Sequence, residues 1–300
     1  MKSILITGSN GLLGQTLVNR LLNSEYKIHA ISRGINLNQC DFKYYDVDIT
    51  HKNELLQLID TIKPNYIINA AAMTNVDYCE NHQQECDTIN VAAVKILIEA
   101  AQKHNAHLVH ISTDFVFDGI TGHYKEADKT NPLSYYGQSK LKSEKLFENT
   151  SISYTILRTI LVFGFLPHLK QKNILLWLLE KMANKTPLTM VDDQLRMPTY
   201  VEDLASASIA AVQTKQNGLY HISSSELMNM YDLTLAVADV FGYDTDLITA
   251  IPTEKLHQPA KRPKITGFDI SKAQNDLNFT PKSFKSALQE VKLKIERLGC

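Results

Sequence analysis

At 300 residues, 44% hydrophobic and 21% charged, the chain has an ordinary globular composition and is long enough for one large domain or two. A formal net charge of −1 gives no electrostatic basis for binding nucleic acid or an acidic membrane surface. No run of about 18 apolar residues predicts a membrane span, and the apolar start at Met1 to Ile6 is too short for a signal peptide and lacks a cleavage site. Four cysteines (Cys40, Cys79, Cys86, Cys300) stand far apart with no Cys-x-x-Cys, and ten histidines include no His-Glu-x-x-His. Reduced thiols in a cytoplasmic protein are therefore expected, rather than a metal site or a disulfide framework.

In chain order, residues 2–7 predict a buried strand, Gly8 to Gly14 a glycine-rich turn, and Leu12 to Asn23 an amphipathic helix. A strand at Lys27 to Ser32, another at Tyr44 to Asp48 and a helix at Asn53 to Lys63 follow. The run Tyr66 to Ala71 predicts a fourth strand, Cys86 to His104 a long helix, Leu108 to Ser112 a fifth strand, and Thr155 to Arg158 a sixth after the helix that carries Tyr136. Short apolar strands alternating with helices predict a doubly wound parallel α/β sheet covered on both faces. After Gly164 the rhythm changes. A helix near Asn173 to Ala183, a helix at Val201 to Gln213, a strand at Leu219 to Ile222, and helices near Met230 to Phe241 and Phe284 to Leu298 are expected. This divides the chain into a dinucleotide-binding domain (1–164 plus about 191–223) and a smaller, interleaved substrate lobe (about 165–190 plus 224–300).

The turn Thr7-Gly8-Ser9-Asn10-Gly11-Leu12-Leu13-Gly14 follows a strand and opens a helix. Glycines there let the backbone turn tightly and approach a pyrophosphate at the helix N-terminus. The spacing is Gly-x-x-Gly-x-x-Gly, one residue wider at the first gap than the commonest dinucleotide fingerprint. Where a carboxylate would hold the ribose of NADH, the second strand ends Ala30-Ile31-Ser32-Arg33-Gly34. A serine and an arginine at that position fit a 2′-phosphate, so NADPH is expected over NADH. Asp48 and Ile49 are placed to flank the adenine, and Ala70, Ala71 and Ala72 leave room for cofactor at the carboxyl edge of the sheet; core packing explains the alanines equally well.

The segment Asn131-Pro132-Leu133-Ser134-Tyr135-Tyr136-Gly137-Gln138-Ser139-Lys140 reads as the start of a helix. On it, Tyr136 and Lys140 at i and i+4 share one face, whereas Tyr135 points elsewhere. An ammonium beside a phenol favours its ionised form and lowers its pKa, making Tyr136 a general acid able to protonate an alkoxide. Spacing alone is weak, since 13 Tyr and 25 Lys in 300 residues give about one such pair by chance. The fifth strand ends His110-Ile111-Ser112-Thr113-Asp114, beyond whose carboxyl end ligands of open parallel sheets bind. Ser112 and Thr113 are thus placed to donate to a substrate oxygen and Asp114 to accept from substrate hydroxyls, or the two hydroxyls satisfy loop backbone groups.

The glycine turn, Asn69-Ala70-Ala71-Ala72, Ser112-Thr113-Asp114-Phe115-Val116-Phe117-Asp118-Gly119 and Tyr136-x-x-x-Lys140 resemble the extended short-chain dehydrogenase/reductases. With Arg158-Thr159, Asp193-Gln194-Leu195-Arg196-Met197-Pro198-Thr199, Arg262-Pro263 and Asp269-Ile270-Ser271-Lys272, the chain resembles the dTDP-4-dehydrorhamnose reductase group nearly end to end. The resemblance implies Tyr136 as proton donor, Lys140 as the group that lowers its pKa and holds the nicotinamide ribose, and Thr113 as a hydrogen-bond donor to the ketone oxygen. Thr74, Asp114, Arg196 and Arg262 are the candidate substrate contacts, the two arginines for a diphosphate. Related dehydratases carry Thr-Asp-Glu where this chain has Thr113-Asp114-Phe115, and phenylalanine transfers no proton, so reduction is expected over dehydration. Two positions depart from the group: Leu161 stands where an aromatic residue is usual, and Arg196 where glycine is usual. An arginine there is similar instead to the regulatory subunit of methionine adenosyltransferase, and contact with a diphosphate, pairing with an acid and pointing to solvent are all open to it. The expected activity is NADPH-dependent reduction of a 4-keto nucleotide sugar, dTDP-4-dehydro-L-rhamnose first, possible as a homodimer. An NADP-binding regulatory subunit, or a reductase or epimerase of another keto sugar, is the alternative.

Overall fold

A computed structural model describes residues 1–38 and 41–298; Cys40 and Cys300 lie outside the described residues. The first half alternates strands and helices as β1 (Lys2–Thr7), α1 (Leu12–Leu21), β2 (Tyr26–Ser32), β3 (Lys43–Asp46), α2 (Lys52–Ile62) and β4 (Tyr66–Asn69). There follow α3 (Val76–Asn81), α4 (Gln83–Asp87), a π-helical turn at Thr88–Ala92, α5 (Ala93–His104), β5 (His107–Thr113), α6 (Tyr135–Lys145) and β6 (Tyr154–Thr159). The long helix expected from Cys86 to His104 is there as continuous helical backbone from Gln83 to His104, with a π-helical turn inside it, and α3 precedes it unforeseen. Asn75 starts α3 by accepting from the Tyr78 N–H at 2.9 Å, a side-chain cap that relieves an orphan donor.

The second half is more irregular: β7 (Val162–Phe163), α7 (Ile174–Ala183), β8 (Leu188–Val191), β9 (Leu195–Arg196), β10 (Thr199–Tyr200), α8 (Val201–Thr214) and β11 (Gly218–Ile222). It closes with β12 (Met228–Asn229), α9 (Met230–Phe241), β13 (Ile248–Ile251), β14 (Ile265–Thr266), α10 (Ser271–Leu277) and α11 (Phe284–Leu298). No helix among the described residues is long and apolar enough to cross a membrane.

Seven strands form one sheet in the order β11-β6-β5-β4-β1-β2-β3, and every pairing in it is parallel. Strand side chains alternate between faces. Ile4 and Ile6 accordingly join one core with Leu17, Val18 and Leu204, while Leu5 joins the other with Leu55, Ile67, Leu97 and Leu108. A third core gathers Leu178, Val191, Val237, Ile248 and Leu288 around α7, α9 and α11. The chain runs outward from β1 to β3 and returns to place β4 on the opposite side of β1. That reversal opens a crevice beyond the carboxyl ends of β1 and β4, where open α/β sheets bind ligands.

Candidate active site and cofactor cleft

The glycine turn sits at this crevice because side chains do not fit there. Gly8 has φ +66°, and a Cβ on it would lie 2.8 Å from the Ala71 backbone; one on Gly14 would lie 2.2 Å from the Gly8 carbonyl oxygen. α1 starts at Leu12 with Gly11 as its cap and no side-chain cap hydrogen bond, so its first N–H groups remain available for an anion. Asn10 turns its side chain to the loop after β2, donating to the carbonyls of Arg33 (3.3 Å) and Ile35 (2.9 Å) and accepting from Leu37 N (3.0 Å). Ser9 is fully buried, and Leu13 packs into the core beside the sheet, so these two shape the turn from behind.

A cleft of about 340 Å³ opens over the turn, and its lining includes Gly8, Gly11, Ser32, Arg33, Asp48 and Ile49. Ala70, Ala71, Ala72 and Thr74 form its opposite wall. Composition and spacing missed Met73, Asn75, Glu85, Ile89 and Gln171, which also line it; only Asn75, as a helix cap, left a sequence signal. The glycine cradle and the uncapped helix end fit an NAD(P)-type dinucleotide.

α6 brings Tyr136 to the end of β5. Ser134 caps it, accepting from Gly137 N at 3.3 Å. Gly137 permits contact with the preceding turn, since a Cβ there would lie 2.1 Å from the Phe115 carbonyl oxygen. Tyr136 is 8% exposed, packed among Cys79, Cys86, Met73 and Phe115, and Met73 connects it to the cleft. Burial pushes the Tyr136 phenol well above its ordinary pKa, against the smaller opposing effect of a hydrogen bond with Thr113. This corrects the expectation that Lys140 lowers it. Lys140 turns away, donating to the Ile111 carbonyl at 2.7 Å, and burial lowers its own pKa to about 8.

Behind Lys140 runs a buried polar row set by strand register: Thr7 pairs with Asn69 and Asn69 with His110. Thr7 donates to Asn69 Oδ1 at 2.6 Å, and Asn69 Nδ2 lies 3.1 Å from His110 Nδ1. The far ring nitrogen of His110 lies 3.0 Å from Ser143 Oγ and 3.3 Å from Lys140 Nζ. Burial and the nearby Lys140 hold this imidazole neutral, its pKa well below the usual range. Cys79 and Cys86, seven positions apart in sequence, also meet beneath Tyr136. Asn90 fixes the cleft wall there, exchanging hydrogen bonds with the Met73 N–H (2.8 Å) and carbonyl (3.0 Å).

The family model for the RmlD substrate binding domain matches residues 1–296. The chain belongs to that family, a branch of the extended short-chain dehydrogenase/reductases. It is 35% identical over 97% of its length, and 99% of the relative's, to a dTDP-4-dehydrorhamnose reductase of Aggregatibacter actinomycetemcomitans. Similarity extends to the methionine adenosyltransferase 2 subunit beta of Bos taurus, 28% identical over 91% of this chain and 82% of that one. Among solved structures, a dTDP-4-dehydrorhamnose reductase of Bacillus anthracis in complex with NADP is 27% identical with TM-score 0.87, covering 98% of this chain and all of that one.

Within this RmlD-type chain, several residues expected at the substrate hold the protein together instead. Ser112 donates to Glu144 Oε1 at 2.5 Å, and Glu144 forms a buried two-point ion pair with Arg158 at 2.9 and 2.6 Å. Asp114 is 2% exposed and accepts from Thr266 at 2.6 Å and Thr113 at 3.1 Å, tying β14 to the end of β5 rather than reaching a sugar. Burial raises its pKa, opposed by the charge of Arg196. Arg196 itself is 4% exposed and spends its N–H groups on the carbonyls of Leu195, Lys264 and Pro263 and on Gln194. It neither faces solvent nor offers a free fork to a diphosphate. Arg262 makes a two-point pair with Asp77 of α3 at 2.7 and 3.1 Å, which occupies the fork assigned to substrate. Leu161 adopts φ +41° and packs between two cores, so no aromatic face is presented there.

Proposed function

We propose that this chain is an NADPH-dependent reductase of a 4-keto nucleotide sugar, with dTDP-4-dehydro-L-rhamnose as substrate and dTDP-L-rhamnose as product. The observation that carries the reading is the buried Tyr136 phenol at the end of β5, with Thr113 acting on its titration and Met73 belonging both to its surroundings and to the lining of the dinucleotide cleft. The dinucleotide supplies hydride when bound. Gly8, Gly11 and the first turn of α1 hold its diphosphate, Ser32 and Arg33 its 2′-phosphate, and Asp48 and Ile49 flank the adenine. Thr113 orients the ketone oxygen, and Tyr136, kept protonated by burial, gives that oxygen its proton. Lys140 steadies the nicotinamide ribose. The proposed division of the chain, 1–164 plus about 191–223 against 165–190 plus 224–300, puts most of the third core with the substrate lobe, while Phe163, Val191, Tyr200 and Val201 join it from the dinucleotide-binding domain.

The test is turnover of a panel of keto nucleotide sugars with NADPH by wild type and Tyr136→Phe. The variant keeps the ring and its packing, so NADPH affinity should hold while turnover falls by roughly 10²–10⁴-fold. A wild-type protein that binds NADPH tightly yet reduces no keto sugar sinks the enzyme reading. It would favour the NADP-binding regulatory reading, which similarity to methionine adenosyltransferase 2 subunit beta supports.

A further inference from the structure

We propose that Lys170, carried by the 165–172 loop outside the seven-stranded sheet, is the second cation of the 2′-phosphate site. This rests on the NADPH reading above and extends it: the choice of cofactor is shared between the turn after β2 and a loop more than 130 residues further along the chain.

The turn after β2 is held rigidly. Beyond the Asn10 bonds, the Tyr44 hydroxyl donates to the Gly34 carbonyl at 2.6 Å, and Gly34 N donates to Asp46 Oδ1 at 2.6 Å. Ser32 and Arg33 are therefore presented at a fixed place on the cleft wall. A Cβ placed on Gly34 would have Lys170 Nζ as its nearest neighbour, at 4.0 Å, and the next residue, Gln171, lines the same cleft as Ser32 and Arg33. The loop is pinched at its base, where Asn173 donates to the Gly164 carbonyl at 2.8 Å and caps α7 through Leu175 N at 3.0 Å. Phe165 packs into the third core. Compact loops with close ends hold their tips in place.

Charge gives the reason for a second cation. Arg33 is 74% exposed and lies 3.8 Å from Asp48, and Asp46 accepts from the neighbouring Gly34 N, so this corner holds two carboxylates before any ligand arrives. A phosphate monoester adds about −1.5 to −2 more at pH 7. Lys172 is paired with Glu180 at 2.6 Å, whereas Lys170 makes no ion pair or hydrogen bond among the described residues. It is the uncommitted ammonium at this corner.

The experiment is a binding titration of wild type, Lys170→Ala and Arg33→Ala with NADPH, NADH, 2′,5′-ADP and 5′-AMP at two salt concentrations. Lys170→Ala should weaken NADPH and 2′,5′-ADP about tenfold, as loss of one charge-assisted contact does, and should reduce their salt dependence. NADH and 5′-AMP should bind as before, which also shows that the variant is folded. Lys170→Arg should retain the preference. Equal weakening of all four ligands, or an NADPH to NADH ratio that only Arg33→Ala changes, overturns the assignment and leaves Lys170 merely a neighbour of Gly34. Equal wild-type affinity for NADPH and NADH is a different failure, because it removes the NADPH reading on which the inference rests.

Discussion

Lys140 carries a prediction whose size and sign follow from its surroundings. The side chain is 2% exposed, its nearest acceptor is a neutral carbonyl at 2.7 Å, and the carboxylate four residues on, Glu144, is committed to Arg158. Burial therefore outweighs the help from Glu144 and Cys86, and the pKa falls from 10.5 to about 8. Below pH 8 the amine is charged in folded and unfolded chains alike. Between about pH 8 and 10.5 the unfolded chain keeps a proton that the folded chain has released, so stability rises with pH through that window. The full gain is about 3 kcal/mol, reached near pH 10.5 and lost as pH falls through 8. Lys140→Met keeps the buried stem and removes the titration. Urea midpoints of wild type and Lys140→Met from pH 7 to 10.5 give the difference directly, because the tyrosines titrate in both proteins and cancel. A difference that stays flat across the window means that Lys140 is not desolvated, and the reasoning fails.

Two further substitutions separate architecture from ligand binding. Glu144→Ala leaves Arg158 charged and buried without its partner, and should cost about 3–5 kcal/mol in chemical denaturation; a loss below about 1 kcal/mol would mean that water reaches the pair. Arg262→Ala removes the bridge from the 252–264 segment to Asp77 of α3 and should cost about 1–3 kcal/mol, with faster proteolytic cleavage in that segment. Unchanged proteolysis together with a raised KM for a nucleotide sugar would return Arg262 to the substrate.

The parallel sheet was legible because its strands are short apolar runs between turn residues, and Gly8 to Gly14 sits directly after the first of them. Periodicity did not foresee α3, which the non-helical His82 separates from the helical run beginning at Gln83, nor the π-helical turn at Thr88–Ala92 inside that run. Strands of two residues such as β9 and β14 leave no period to read, yet they decide where Asp114 and Arg196 go. The arginines were misjudged for a related reason. Residue type says that a guanidinium suits a diphosphate, but only folding reveals that Arg196 has four protein acceptors around it. The i, i+4 spacing did place Tyr136 and Lys140 on one helix and buried both. It did not show that Lys140 reaches back to the Ile111 carbonyl, which decides its influence on the phenol.

That last point bears on how the proposed proton transfer proceeds. A buried phenol above its ordinary pKa starts every cycle protonated, as a donor must, but it gives up its proton against a penalty for burying the phenolate. In this structure the Thr113 hydroxyl is the group that acts against that penalty. Thr113 has a single proton to donate, and in this structure it lies 3.1 Å from Asp114 Oδ1 while its oxygen accepts from Phe115 N at 3.2 Å. To donate to a ketone oxygen, the hydroxyl must give up Asp114, whose other oxygen keeps the Thr266 bond at 2.6 Å. Asp114 therefore acts as the resting partner of Thr113, accepting its proton at 3.1 Å.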